Sequence, residues 1–214
     1  MFFVLIMPDL GNALICLFLI FVIIFSSGIK PIAAFLIILA SVSAYISLPL
    51  ILNILPQGFL KHNYQALRLL VFLRPWDYTR GASLQLVHSF YAVAHGGLFG
   101  VGLGNSIEKM GYLPEANTDF IMAILVEELG TISLAIIIGI LLILIGRIFY
   151  LAFQVNDNYQ RLVLYGIGSY FFVQALVNLG GIIGSLPMTG VTFPFISYGG
   201  SSALISSTAI GIVF

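Results

Sequence analysis

Long apolar stretches alternate with polar turns along this chain, and five of them, at 10–27, 32–54, 120–146, 162–186 and 197–214, approach or exceed the length of a membrane span. In lipid every backbone N–H and C=O must be bonded within its own segment, so runs of this length and apolarity read as membrane-crossing helices. The pattern predicts an all-α polytopic bundle with about five transmembrane helices, forming a single membrane domain over 1–214. Pro187 and Pro194 separate the last two spans and mark a turn, since proline removes a helical donor and clashes with the preceding turn.

The polar remainder is concentrated in one long connection, 55–119. Within it, 81–104 is uncharged, yet its pattern differs from that of a span. Leu84, Val87, Tyr91, Ala94 and Leu98 recur at three- and four-residue steps, with Gln85, His88, Ser89 and His95 on the other side. This predicts an amphipathic helix lying in the membrane interface. Ahead of it, 60–80 carries Lys61, Arg68, Arg74, Arg80 and Trp76, a basic aromatic segment suited to lipid headgroups.

Short loops set the orientation. Alternate crossing puts Lys30, Arg147 and Arg161 on one side, which is then cytoplasmic, and places 55–119 and Asp119 outside. The same parity puts Asp9 outside, and the stub 1–7 lacks the basic region of a secretory signal. With the chain stopping at Phe214 inside an apolar run, the expectation is a fragment of a longer protein, preceded by an odd number of spans.

Composition sharpens this picture. Hydrophobic residues make up 60% and charged residues 7%, and the mean hydropathy is +1.13, which excludes an ordinary soluble domain. Eight basic and eight acidic residues leave no net charge to attract nucleic acid. Cys16 stands alone, so neither an internal disulfide nor a thiolate metal site is expected.

Four of the eight acidic residues lie in 112–130: Glu115, Asp119, Glu127 and Glu128. Pro114 rigidifies the entry to this stretch, and Asn117 or Thr118 is suited to cap the following helix. Asp119 begins that helix, where the dipole favours an ionised carboxylate at the outer membrane surface; it is either a reactive acceptor or a second cap. Glu127 and Glu128 lie about 12 Å farther along, about 100° apart. A carboxylate in a membrane segment costs roughly 2.5–3.5 kcal/mol, so the pair serves either a polar cavity or proton path, or hydrogen bonding between helices.

Other signals are weaker. Gly96, Gly97, Gly100, Gly102 and Gly104 resemble a phosphate-cradling loop, but no strand precedes them and they equally suit a simple turn. Lys109 and the arginines are candidates to hold a diphosphate or lipid headgroups. His62, His88 and His95 lack the spacing of a metal site beyond the pair His88 and His95.

Three blocks carry a family resemblance: PDLG at 8–11, LPEANTDF at 113–120 with the following EELG, and GIIGSLPMTGVTFPFISYGGSS at 181–202. In the same order they resemble the SEDS membrane glycosyltransferases, the family of FtsW and RodA. GLGNSIEKMGYLPE and TGVTFPFISYGG are closer to the FtsW division branch. The resemblance implies a ten-helix protein of which this chain is the second half, with its active site on the extracytoplasmic face of the cell membrane. It implies polymerisation of lipid II into glycan strands carried on undecaprenyl diphosphate. A class B penicillin-binding protein, other division proteins and membrane lipids are the implied partners.

The family's essential aspartate maps onto Asp119 and its neighbouring acidic residue onto Glu115. Arg68, Lys109, Gln85 and Ser197 are the substrate-binding candidates, and a divalent cation, Mg or Mn, is an alternative counter-charge for the leaving diphosphate. Asn117 stands where the family commonly has histidine, which puts a proton relay there in doubt. Leu84 stands where a tyrosine usually precedes Gln85. Two other readings stay open: a flippase for lipid-linked precursors working through Glu127 and Glu128, and a non-catalytic division scaffold.

Overall fold

A computed structural model of the chain describes residues 10–26, 64–78 and 83–214, with isolated positions at 28, 32, 36, 40, 43 and 81. Most of the span expected at 32–54, together with Asp9, Lys30, Lys61, His62 and Arg80, lies outside the described residues. The described secondary structure is helical: α1 (Leu10–Ser26), α2 (Tyr64–Leu73), α3 (Leu84–Gly96), α4 (Ile121–Gln154), α5 (Asn158–Ile182) and α6 (Gly200–Val213), with 3-10 turns at Pro75–Tyr78 and Glu108–Met110. Among the described residues, α4 and α5 are long and apolar enough to cross a membrane.

α4 and α5 form the centre. Leu141, Ile145 and Ile148 of α4 are buried in one cluster with Leu164, Phe171 and Ala175 of α5. Gly168 permits the approach, since a Cβ there would lie 3.1 Å from the Phe149 ring. α1 lies on another side of α5, where Ile15 packs with Val173, Val177 and Val191. Its Gly11 touches the segment after α5 so closely that a Cβ would stand 2.6 Å from Val191 Cγ2. The turn between α4 and α5 is short because Asp157 caps α5, its Oδ1 accepting from Tyr159 N at 3.2 Å.

Observed bounds depart from the apolar windows in informative ways. α4 continues to Gln154, so Arg147 sits within the helix and not in the following loop, its guanidinium 5.3 Å from the Tyr150 ring centroid. More important, α4 is broken at Gly130 (φ 82, ψ 172). The part beyond the break, 131–154, is on the order of 36 Å long, enough for a bilayer core by itself. Glu127 and Glu128 therefore belong to a separate first segment, 121–129.

The break explains the glycine run. Interrupting a helix orphans carbonyls on one side and N–H groups on the other. The segment after α3 supplies both partners: Val101 N donates to Glu127 O at 3.0 Å and Gly102 N to Glu128 O at 2.9 Å, while Thr131 N donates to Gly97 O at 3.0 Å and Ile132 N to Leu98 O at 3.3 Å. Backbone lies so close to backbone that a Cβ at Gly100 would be 2.2 Å from Glu128 O, and one at Gly130 2.1 Å from Leu98 O. These glycines thus join two backbones, and the phosphate-cradle reading is corrected, because the N–H groups of Gly100, Val101 and Gly102 are already donated within the protein.

α3 turns a different face to the protein from most of its apolar stripe. Its buried residues are Leu86, Val87, Ser89, Ala92 and Gly96, while Tyr91 and Leu98 are exposed. α3 packs on α4 and α5 through this face. Ser89 can be buried because its Oγ donates to Leu86 O (2.7 Å) and Ile182 O (3.0 Å), within reach of both carbonyls.

Candidate functional site

A pocket opens where α2, α3, the 119–120 turn, the C-terminal half of α5 and the segment 188–191 meet. Its polar lining includes Arg68, Gln85, Asp119, Asn178 and Thr189. Asp119 comes two residues before α4 begins, with Phe120 at the N-cap position, and neither Asn117 nor Thr118 caps that helix. Thr118 Oγ1 instead donates to Glu115, to its carbonyl at 3.2 Å and to its Oε2 at 2.8 Å. Glu115 has a left-handed backbone (φ 54), and its carbonyl accepts from Thr118 N and Phe120 N, both at 3.2 Å. Glu115 is therefore the corner of the turn that presents Asp119.

Asn178 fixes the other side of that turn. Its Nδ2 donates to Asp119 O at 2.7 Å and to Val191 O at 2.6 Å, tying the turn to the 188–191 segment. Asn178 is 4% exposed, and its Oδ1 has no hydrogen-bond partner. A buried amide oxygen left unbonded costs about 1–3 kcal/mol, so a hydroxyl bound in this pocket would gain by donating to it. Gly190 (φ 74) closes against the carboxylate, and a Cβ there would lie 3.3 Å from Asp119 Oδ2. Arg68 enters from α2, with Nη1 donating to Met188 O at 3.3 Å.

Three of the six candidates, Asp119, Arg68 and Gln85, are thus gathered in one pocket. The other three are elsewhere. Lys109 pairs with Glu128. Glu115 shapes the turn, and Ser197 accepts from Phe193 N at 2.7 Å beside a different pocket that it shares with Asn117 and Tyr198. Asn178 and Gly190 were missed. A signal for Asn178 was present, because Gln174 and Asn178 are two amides four residues apart in the apolar C-terminal half of α5, where polar groups are costly unless used.

Glu127 and Glu128 join the loop to α4. Glu127 is fully buried; its carboxylate accepts from His95 Nδ1 at 3.0 Å, Ile107 N at 3.0 Å, Glu108 N at 3.4 Å and the Ser106 hydroxyl. His88 Nδ1 lies 2.6 Å from Glu108 Oε2. This arrangement is the hydrogen-bonding alternative for Glu127 and Glu128, and it accounts for His88 and His95 without a metal. Among the described residues, no three His, Cys, Asp or Glu side chains gather as in a site ligated wholly by protein.

Comparison with known proteins gives a consistent answer. The FtsW/RodA/SpoVE family, described as "Cell cycle protein", matches residues 1–214. A "Probable peptidoglycan glycosyltransferase FtsW" of Coxiella burnetii is 40% identical over 96% of this chain and 54% of its own length. Its namesake in Lactococcus lactis is 42% identical over 98% of this chain and 50% of its own, and Stage V sporulation protein E of Bacillus subtilis is 39% identical over 96% and 54%. The chain spans about half the length of these relatives. A solved chain described under "Structural coordination of polymerization and crosslinking by a peptidoglycan synthase complex" superposes with a TM-score of 0.72 at 29% identity, covering 98% of this chain and 55% of that one.

Proposed function

The chain belongs to the FtsW/RodA/SpoVE family of membrane proteins, and from that premise we propose that it is the catalytic half of a peptidoglycan glycosyltransferase that polymerises lipid II during cell division, with Asp119 as general base. The parent protein crosses the cytoplasmic membrane several times and carries this pocket on its extracytoplasmic face. A class B penicillin-binding protein and other division proteins work beside it.

The observation that carries the reading is the meeting of Asp119, Arg68, Gln85 and Asn178 in one pocket. A hydroxyl of the acceptor sugar gives its proton to Asp119 as its oxygen bonds to the donor's anomeric carbon, and the bond from that carbon to the lipid diphosphate breaks. General-base assistance of this kind contributes about 10²- to 10⁴-fold. Arg68 offsets charge on the leaving diphosphate, and Gln85 and the Asn178 amide oxygen orient hydroxyls. Lipid anchors hold both substrates in one plane, so positioning supplies much of the remaining rate.

A divalent cation would be held by Asp119 and the diphosphate oxygens, where it would neutralise developing charge. Glu115 acts by setting the turn, and Lys109 and Ser197 stand outside the reacting centre. The flippase reading loses support because Glu127 and Glu128 are occupied by the loop.

The test is polymerisation of lipid II by the purified full-length parent with its penicillin-binding partner. Asp119→Asn should lower the rate at least a hundredfold while the melting temperature holds. Equal polymer from a well-folded Asp119→Asn protein refutes the assignment.

A further inference from the structure

The segment 190–191 also borders a second groove. It is bordered by Asn12 of α1, Tyr170 and Gln174 of α5, Thr192, and the start of α6 at 199–202. Gly190 and Val191 border both this groove and the Asp119 pocket, so the two sites are neighbours across one stretch of backbone.

Two independent features mark the groove as built to hold something. α6 starts with no side-chain cap, and its first backbone bond is from Ala203 N to Gly199 O. The N–H groups of Gly200, Ser201 and Ser202 are thus the unpaired donors of a helix start. Gln174, which borders the same groove, is 3% exposed. Its Nε2 donates to Thr192 O at 3.0 Å, and its Oε1 has no partner.

The chemistry selects the ligand. A helix N-terminus alone would favour an anion, but no Lys or Arg lines this groove among the described residues, and a buried carbonyl oxygen repels one. A neutral group carrying both hydrogen-bond donors and acceptors satisfies both features. Tyr170 and Ile15 add an apolar wall against which the face of a pyranose ring can lie. We propose that this groove is a saccharide subsite, binding a neutral hydroxyl- or acetamido-bearing sugar unit next to the Asp119 pocket. An acetamido N–H or hydroxyl donates to Gln174 Oε1, and sugar oxygens accept from the first turn of α6. This rests on reading the parent as a glycan polymerase, in which a sugar chain must lie beside the reacting centre.

The experiment uses the full-length parent in detergent and a soluble tetramer of N-acetylglucosamine as probe, with binding read by saturation-transfer NMR. Gly200→Val sets a branched side chain at the rim of the groove, and the fold accommodates it because a Cβ at Gly200 meets no atom within 4 Å. Gln174→Met removes the orphan oxygen. Binding by wild type, weakened at least fivefold in both variants, with the melting temperature unchanged in Gly200→Val and lowered in Gln174→Met by loss of the bond to Thr192 O, is the expected result. No signal from wild type, equal affinity in Gly200→Val, or displacement of the tetramer by inorganic pyrophosphate at the same site overturns the proposal. Lipid II polymerisation is measured on the same wild-type sample. Absence of polymer with tetramer binding intact would refute the polymerase reading alone, whereas polymer without tetramer binding would refute the subsite alone.

Discussion

Replacing Glu127 by glutamine tests whether the buried carboxylate holds the loop onto α4. The carboxylate accepts from four groups, two of which, Ile107 N and Glu108 N, are backbone donors that cannot reverse direction. Glutamine has one acceptor oxygen. Turned toward Ile107, it leaves its NH₂ facing Glu108 N–H and the Ser106 hydroxyl, which already accepts from Lys109 N at 3.1 Å. Hydrogen bonds to a charged group are worth about 1.5–3 kcal/mol against about 0.5–1.5 for neutral ones, so the bonds that survive weaken and at least one is lost, for about 2–4 kcal/mol in all. The assay is hydrogen exchange in the full-length parent, reading peptides across 97–110. At tenfold per 1.4 kcal/mol, the lower figure predicts roughly 30-fold faster exchange there. Glu128→Gln is the internal comparison. It removes the charge from a pair whose lysine is 32% exposed, while the glutamine oxygen can still accept from the Gly104 or Ser106 N–H; the loss is under about 1 kcal/mol, so its loop should exchange less than about fivefold faster. Unchanged protection in Glu127→Gln, or equal effects of the two substitutions, would refute the latch.

Gly130→Ala should cost several kcal/mol, because alanine is strained at φ 82, ψ 172 and its Cβ would stand 2.1 Å from Leu98 O; a melting temperature within a degree or two of wild type would contradict the interlocked break. Asn178→Leu strips Asp119 O and Val191 O of their donor and should lower kcat for polymerisation by tenfold or more, as a displaced base predicts. Retained kcat would show that the turn needs no tether. Arg68→Ala should raise KM for lipid II or reduce kcat at least tenfold, whereas Lys109→Ala, on the loop latch, should change either by less than about threefold. Reversed effects in those kinetics would move the diphosphate to Lys109.

The helical class and the weight carried by 112–130 were legible because period and apolar length are local properties of a sequence. What was not legible depended on where the chain returns. Nothing in the α4 sequence distinguishes Gly130 from Gly139, yet Gly130 breaks the helix because residues 97–102 come back to pair with it, while a Cβ at Gly139 meets no atom within 4 Å. Which face of α3 packs on α4 and α5 was hidden for the same reason. Ser89 counts as polar in any periodicity, but two carbonyls await its hydroxyl in the core. Within the site, Asp119 stood out as a charged residue at a turn. Lys109 looked equally suited to phosphate until Glu128 proved to face it.

That pairing divides the acidic residues by role. Glu127, Glu128 and Glu108 meet His95, Lys109 and His88, all on the connection before α4, and the pairs join one long-range unit that holds α3 and its loop against the first segment of α4. A transporter working through Glu127 would have to release four donors and reseat them in every cycle, inside a site with no exposure to water. Proton or substrate traffic there would dismantle the side-chain pairs beside the backbone bonds that span the break at Gly130. Asp119 is placed differently. Its backbone carbonyl is tethered by Asn178 and its carboxylate lies against Gly190, so the turn is held from behind while the side chain borders the pocket. The general base proposed here needs a fixed backbone and an oxygen that borders the pocket, and Asn178 and the left-handed corner at Glu115 hold the backbone of Asp119 in that way.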